Sequence, residues 1–130
     1  MVNRCLAVCF LLATITIVSS CEHWITKETG VVSVTGPDSA RVGEELLLKV
    51  VYYLPAASEF SHHAIDEFGL ELFVTIWILE DVSSGDRVQG LLHVDLTIPY
   101  TPSSTGLHNF RFNPHATDTS FHILKSVVVY

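Results

Sequence analysis

From Val31 onward the apolar residues recur at every second position, and the chain reads as strand after strand. In "LLHVDLTIP", Leu92, Val94, Leu96 and Ile98 alternate with Leu91, His93, Asp95 and Thr97, the period of a half-buried strand whose odd-numbered face meets solvent. "ELLLKVVYYL" and "LELFVTIWIL" are apolar on both faces and rich in β-branched and aromatic residues. The turn-forming stretches "GPDSARVGE" and "SSGD" bound them, so they predict central strands of a packed sheet. Within the second, Trp77 is expected to fill the core. "HNFRF" places His108, Phe110 and Phe112 on one face and Asn109 and Arg111 on the other, and "SFHILKSVVVY" supplies a last strand. With "VVSVT", these runs predict an all-β protein, an antiparallel sandwich of about seven strands in which two sheets share one core.

Helical spacing occurs once. In "ASEFSHHAIDEFG", Phe60, Ala64 and Phe68 follow at intervals of four, Ser58 is placed to cap and Gly69 to close the last turn. The expectation there is a short helix or an ordered loop.

The first 20 residues form a different kind of segment. "MVNR" carries one fixed positive charge and "CLAVCFLLATITIV" is an apolar run, which Ser19 and Ser20 end before it reaches the roughly 20 residues a membrane-crossing helix needs. Residues 1–20 are therefore expected to be a cleaved signal peptide. The four residues "VSSC" that follow the run resemble the lipobox of bacterial lipoproteins, which implies lipidation of Cys21 and removal of the leader before it. The alternative is ordinary cleavage after Ser20, for which Val18 and Ser20 are also suitable and which would leave a free N-terminal thiol. Of the three cysteines, Cys5 and Cys9 lie in the leader, so the mature chain keeps Cys21 alone and can form no internal disulfide. An unpaired thiol in an oxidising compartment is reactive, whereas a thioether is inert, and this favours lipidation. Stable attachment takes two or more acyl chains, which the lipidated cysteine of bacterial lipoproteins carries. Residues 21–30 then read as the lipidated cysteine and a tether of about 30 Å when fully extended, and residues 31–130 as the folded domain. Trp24 and Ile25 in that tether have two possible seats, the lipid interface or the end of the domain.

Charge narrows the partners. The chain has 7 basic and 14 acidic residues, a net charge of −7 that the loss of Arg4 with the leader makes more negative. No basic stripe relieves it, so nucleic acid is not an expected partner. Nucleophile elbows, phosphate-cradling glycine loops and zinc-protease motifs are absent from the sequence, and Asp66, Glu67 and Glu71 read as a solvated acidic loop. No enzymatic activity and no cofactor are expected. Histidine is the one enriched chemistry, with seven residues. In "SHHAIDEF" the pairs His62 with Asp66 and His63 with Glu67 are four apart. On a helix each pair would share a face and could hold a transition-metal ion; on a strand the two histidines point to opposite sides. His93 is expected on a solvent face, His108 at the edge of the core and His115 in a loop.

Across most of the mature chain, the opening strand, "GPDSARVGEELLLKVVYYL", a loop of some fifteen residues, a long apolar strand and "YTPSSTGLHNFRF" resemble the small Ig-like lipoproteins of Bacteroidetes. In that pattern Pro37, Val42 and Gly43 lead into the second strand and Gly106 precedes a late one. The resemblance implies an Ig-like sandwich, anchored to the bilayer through acylated Cys21, at the bacterial cell envelope and on the outer membrane. There it would act as a binding or structural module with another envelope protein as a possible partner. A metal-binding envelope lipoprotein using His62, His63, Asp66 and Glu67 is the alternative. The chain departs from the pattern in having His108 where a tyrosine is frequent, and in having no cysteine inside the domain.

Overall fold

The structure is a computed structural model that describes residues 24–81 and 90–130. Those residues form nine strands, a single three-residue 3-10 turn at Thr119–Phe121 and no α-helix. The strands are β1 (Trp24–Thr29), β2 (Val31–Thr35), β3 (Ser39–Ala40), β4 (Leu46–Pro55), β5 (Ser58–Phe68), β6 (Glu71–Asp81), β7 (Leu91–Tyr100), β8 (Gly106–Phe112) and β9 (Ile123–Val129). They make two sheets packed face to face, the all-β sandwich that the alternation predicts.

The smaller sheet has the order β2-β4-β7, all antiparallel. The larger is built around β6. Residues 76–80 of β6 pair with both β1 and β5, and residues 71–74 pair with both β5 and β8. Hence β5 runs along one edge of β6, while β1 and β8 share the other edge in tandem. β1 is antiparallel to β6 and β8 parallel to it, so their C-terminal ends meet head-on beside Thr75. β9 and then β3 continue this sheet.

Where β1 and β8 collide, both chains must leave the sheet. β1 turns at Gly30 into β2 of the other sheet, and β8 ends at Asn113, which takes the left-handed conformation (φ 57°) that Asn tolerates better than most residues. The Asn113 carboxamide then replaces the missing strand neighbour. Its Oδ1 accepts from the Val31 N–H at 2.7 Å, and its Nδ2 donates to the Val31 carbonyl at 3.0 Å and the Phe121 carbonyl at 2.7 Å.

The core lies between the sheets. It is filled by alternate residues of β4 (Leu46, Leu48, Val50, Tyr52) and of β6 (Leu72, Val74, Ile76, Ile78), with Ile98, Phe110, Phe112, Val127 and Val129. Each large side chain removed from water here stabilises the fold by about 1.5–3 kcal/mol. The face read for "HNFRF" is the one found, with His108, Phe110 and Phe112 all buried. Leu91 is exposed as expected, and Leu92 is exposed with it, because that end of β7 projects beyond the core beside Leu54 and Pro55.

Three expectations need correction. Residues 58–68 are not a helix or a loop but strand β5, in a long hairpin with β6. An interval of four is also twice the strand period, so helical spacing alone does not separate the two. A bulge between Phe60 and His62 turns Phe60 inward, against Tyr52, while Ala64 and Phe68 face outward. Gly69, at φ 63°, opens the two-residue turn of the hairpin, where positive φ favours glycine. Second, residues 24–29 are not tether but strand β1, paired with β6 from Trp24 opposite Asp81 to Thr29 opposite Ile76. This seats Trp24 and Ile25 on the domain. Third, Trp77 lies outside the core. β6 is apolar on both faces, and its even-numbered residues are the ones that meet β4 and its neighbours. Residues 1–20, expected to be a signal peptide, lie outside the described residues, as do Cys21 and His23.

Candidate binding face

The outer face of the larger sheet is built on the odd-numbered residues of β6. Glu71, Phe73, Thr75, Trp77 and Leu79 point away from the core, and the register sets their neighbours. Phe68 lies beside Glu71, Asp66 and Arg111 flank Phe73, Ala64 stands against Thr75, and His62 and Glu28 flank Trp77. The His62 imidazole stacks on the Trp77 indole (centroids 5.8 Å apart, planes 9° apart), and Phe68 meets Phe73 edge-on at 5.6 Å. Phe68, Leu107, Leu124 and Val128 are respectively 67%, 48%, 53% and 50% exposed on this face. A sheet face meant only for water would carry polar residues at these positions.

A half-open groove of about 340 Å³ lies at the β8–β9 end of this face. Phe73, Arg111 and Leu124 line it from the sheet, and Pro114 and His122 line it from the connection between β8 and β9. Arg111 donates through Nε and Nη2 to the two carboxylate oxygens of Glu71, at 3.4 and 3.2 Å. These bonds hold the Glu71 carboxyl below its ordinary pKa, so the pair stays ionised at neutral pH. Because a carbonyl only accepts, His122 donates through Nε2 to the Ala116 oxygen (2.9 Å). Asp118 accepts from the Ser120 N–H, which caps the 3-10 turn and holds this connection in shape.

The residues proposed as metal ligands do not converge. On β5, His62 and Asp66 face outward and His63 and Glu67 face the core side. Four residues of strand separate each pair by about 13 Å. His62 is occupied by Trp77 and by a hydrogen bond with Ser61, and Glu67 accepts the Tyr100 hydroxyl. Among the described residues no three His, Cys, Asp or Glu side chains gather in a way that could hold a metal ion. The other histidines have structural surroundings. His93 is exposed and edge-on to Tyr53, His115 contacts Glu28 at 2.7 Å, and buried His108 donates through Nδ1 to the Gly106 carbonyl. Gly106 itself is at φ 124°, a conformation that residues with a side chain rarely adopt, so the start of β8 favours glycine.

Tyr100 links the two sheets. Its hydroxyl donates to Glu67 on β5 and its ring lies edge-on to Phe110. Burial, and then the Glu67 carboxylate, push its pKa up to about 12. The folded protein therefore keeps a proton that the unfolded chain releases near pH 10. The stability contribution is intact below about pH 10 and is lost as pH rises towards 12. Urea titrations at stepped pH should show this alkaline fall, with a smaller one in Tyr100→Phe; an identical fall in both proteins would exclude Tyr100 as a cause.

No protein-family model matches the chain, and no curated protein or solved structure shows significant similarity to it.

Proposed function

We propose that the protein is a lipid-anchored binding module of a bacterial cell envelope, held by acylated Cys21 and presenting the outer face of its larger sheet. The observation that carries the reading is the row of exposed aromatic and aliphatic side chains on that face, where a solvated strand would be polar. The lipobox-like "VSSC" and the resemblance to small Ig-like lipoproteins support the anchor and the compartment. Because β1 begins at Trp24, the span from Cys21 to the domain is only about 10 Å even when extended, so the sandwich would stand directly on its membrane. The reading assigns the module no catalysis.

Cells fed a labelled fatty acid should incorporate the label into this protein and lose it in Cys21→Ser, with the variant released from the membrane fraction. Unlabelled protein carrying a free Cys21 thiol would refute the anchor.

A further inference from the structure

We propose that the groove formed by Phe73, Arg111, Leu124, Pro114 and His122 binds a neutral, hydroxyl-rich ligand, a sugar unit of a glycan; this rests on the binding-module reading. Four features of the groove point to that chemistry.

The first is size. About 340 Å³ is at the small end of ligand clefts, and the groove is half-open, so a unit of a longer chain can lie in it without being enclosed. The second is charge. Arg111 is the cation of the groove, and its guanidinium already meets the Glu71 carboxylate through two hydrogen bonds. An anionic ligand would have to displace Glu71 and approach a chain of net charge −7, and a cationic ligand would meet the Arg111 fork. The site is therefore matched to a neutral ligand.

The third is the hydrogen-bonding pattern. The Arg111 guanidinium lines the groove and is held against the Glu71 carboxylate, so N–H donors and oxygen acceptors lie next to each other on the sheet beside it. A hydroxyl is at once donor and acceptor, so two adjacent hydroxyls are the natural complement. His122 adds an imidazole to the same wall, held in place by its Nε2 bond to the Ala116 carbonyl. The fourth is the apolar surface. Phe73 and Leu124 form carbon surface beside these polar groups, and Phe68 extends it along the sheet. A sugar ring has an apolar C–H face as well as a rim of hydroxyls, and it satisfies both kinds of surface at once. An apolar peptide would cover Phe73 but leave the Arg111–Glu71 plane desolvated without new partners, which costs binding energy.

The test uses the full chain in a non-glycosidic detergent. Cellohexaose, maltohexaose and mannohexaose serve as neutral probes, dextran sulfate as an anionic probe and a proline-rich peptide as the protein-like probe, with binding followed by calorimetry. At least one neutral hexaose should bind saturably, and its affinity should hold when salt is raised, because no net charge is neutralised. Phe73→Ala and Arg111→Lys should each weaken it about tenfold or more, the second because lysine keeps the charge but loses the planar fork. Leu47→Ala, exposed on the opposite sheet, should bind as the parent does. Should Phe73→Ala fail to fold, Arg111→Lys decides alone. No hexaose binding, binding unchanged in Arg111→Lys, or binding confined to the peptide or to dextran sulfate would overturn the proposal. Fatty-acid labelling separates the two readings: label on Cys21 without sugar binding removes the glycan and leaves the anchored module, and sugar binding without label does the reverse.

Discussion

Asn113→Ala is expected to destabilise the domain by about 3 kcal/mol, a large fraction of the 5–15 kcal/mol typical of a domain this size. Two effects add. The Val31 N–H and carbonyl lose their carboxamide partner at a site where Val31 is buried, and leaving such groups unpaired costs about 1–3 kcal/mol. Alanine also adopts the left-handed conformation at φ 57° less readily than asparagine, by about 1 kcal/mol. Two further variants separate these causes. Asn113→Gly relieves the backbone and leaves the hydrogen-bond loss. Asn113→Asp keeps an acceptor for the Val31 N–H but sets a carboxylate against the carbonyls of Val31 and Phe121. Urea melts should rank stability as parent first, then Asn113→Gly, then Asn113→Ala. A melt for Asn113→Ala within 0.5 kcal/mol of the parent, roughly the scatter of ordinary surface substitutions, would mean that the carboxamide does not bind the two sheets together.

Strands were legible in this chain wherever one face differed from the other. In "LLHVDLTIP" and "HNFRF", period two fixes both the element and its buried side, and both agree with the structure at Ile98, Phe110 and Phe112. Legibility failed where the local pattern was symmetric. β6 is apolar on both faces, so the sequence around Trp77 did not say which parity meets the other sheet; that depends on β4, some twenty residues upstream. β1 failed for the opposite reason. "WITKET" buries no residue deeply, and what holds it is main-chain pairing to β6, which leaves no hydrophobic signature. In β5, the bulge at Ser61 shifts the inward face from even to odd positions, which breaks the alternation and leaves the i, i+4 spacing visible.

The candidate binding face was hidden for a related reason. Its polar centre joins Glu71 on β6 to Arg111 on β8 through a parallel pairing, and a wall of the groove comes from Pro114 and His122. Nothing local marks those residues as neighbours. The outward position of Arg111 was readable, but its carboxylate partner was not. The histidine pairs of "SHHAIDEF" show the converse: chemistry-bearing residues close in sequence are drawn apart once the segment is extended.

The parity of β6 and β8 leads to the second large effect. Phe110→Ala should cost about 3–5 kcal/mol, because Phe110 is fully buried and its ring lies edge-on to Tyr100, so truncation leaves a cavity that the two sheets cannot collapse to fill. Trp77→Ala removes a larger side chain, and a reading that placed Trp77 in the core would give it the larger penalty. On the outer face the indole is only half-buried, and its loss removes a stacking contact with His62 and some covered area, about 1 kcal/mol. The order of the two penalties therefore reports directly which face of β6 is inside. Denaturation in urea with unchanged slopes should show the Phe110 variant falling well below the Trp77 variant. If Trp77→Ala cost as much as Phe110→Ala, the outer face would be covered by something that packs on the indole as tightly as a second sheet, and the free aromatic surface assigned to binding would be lost with it.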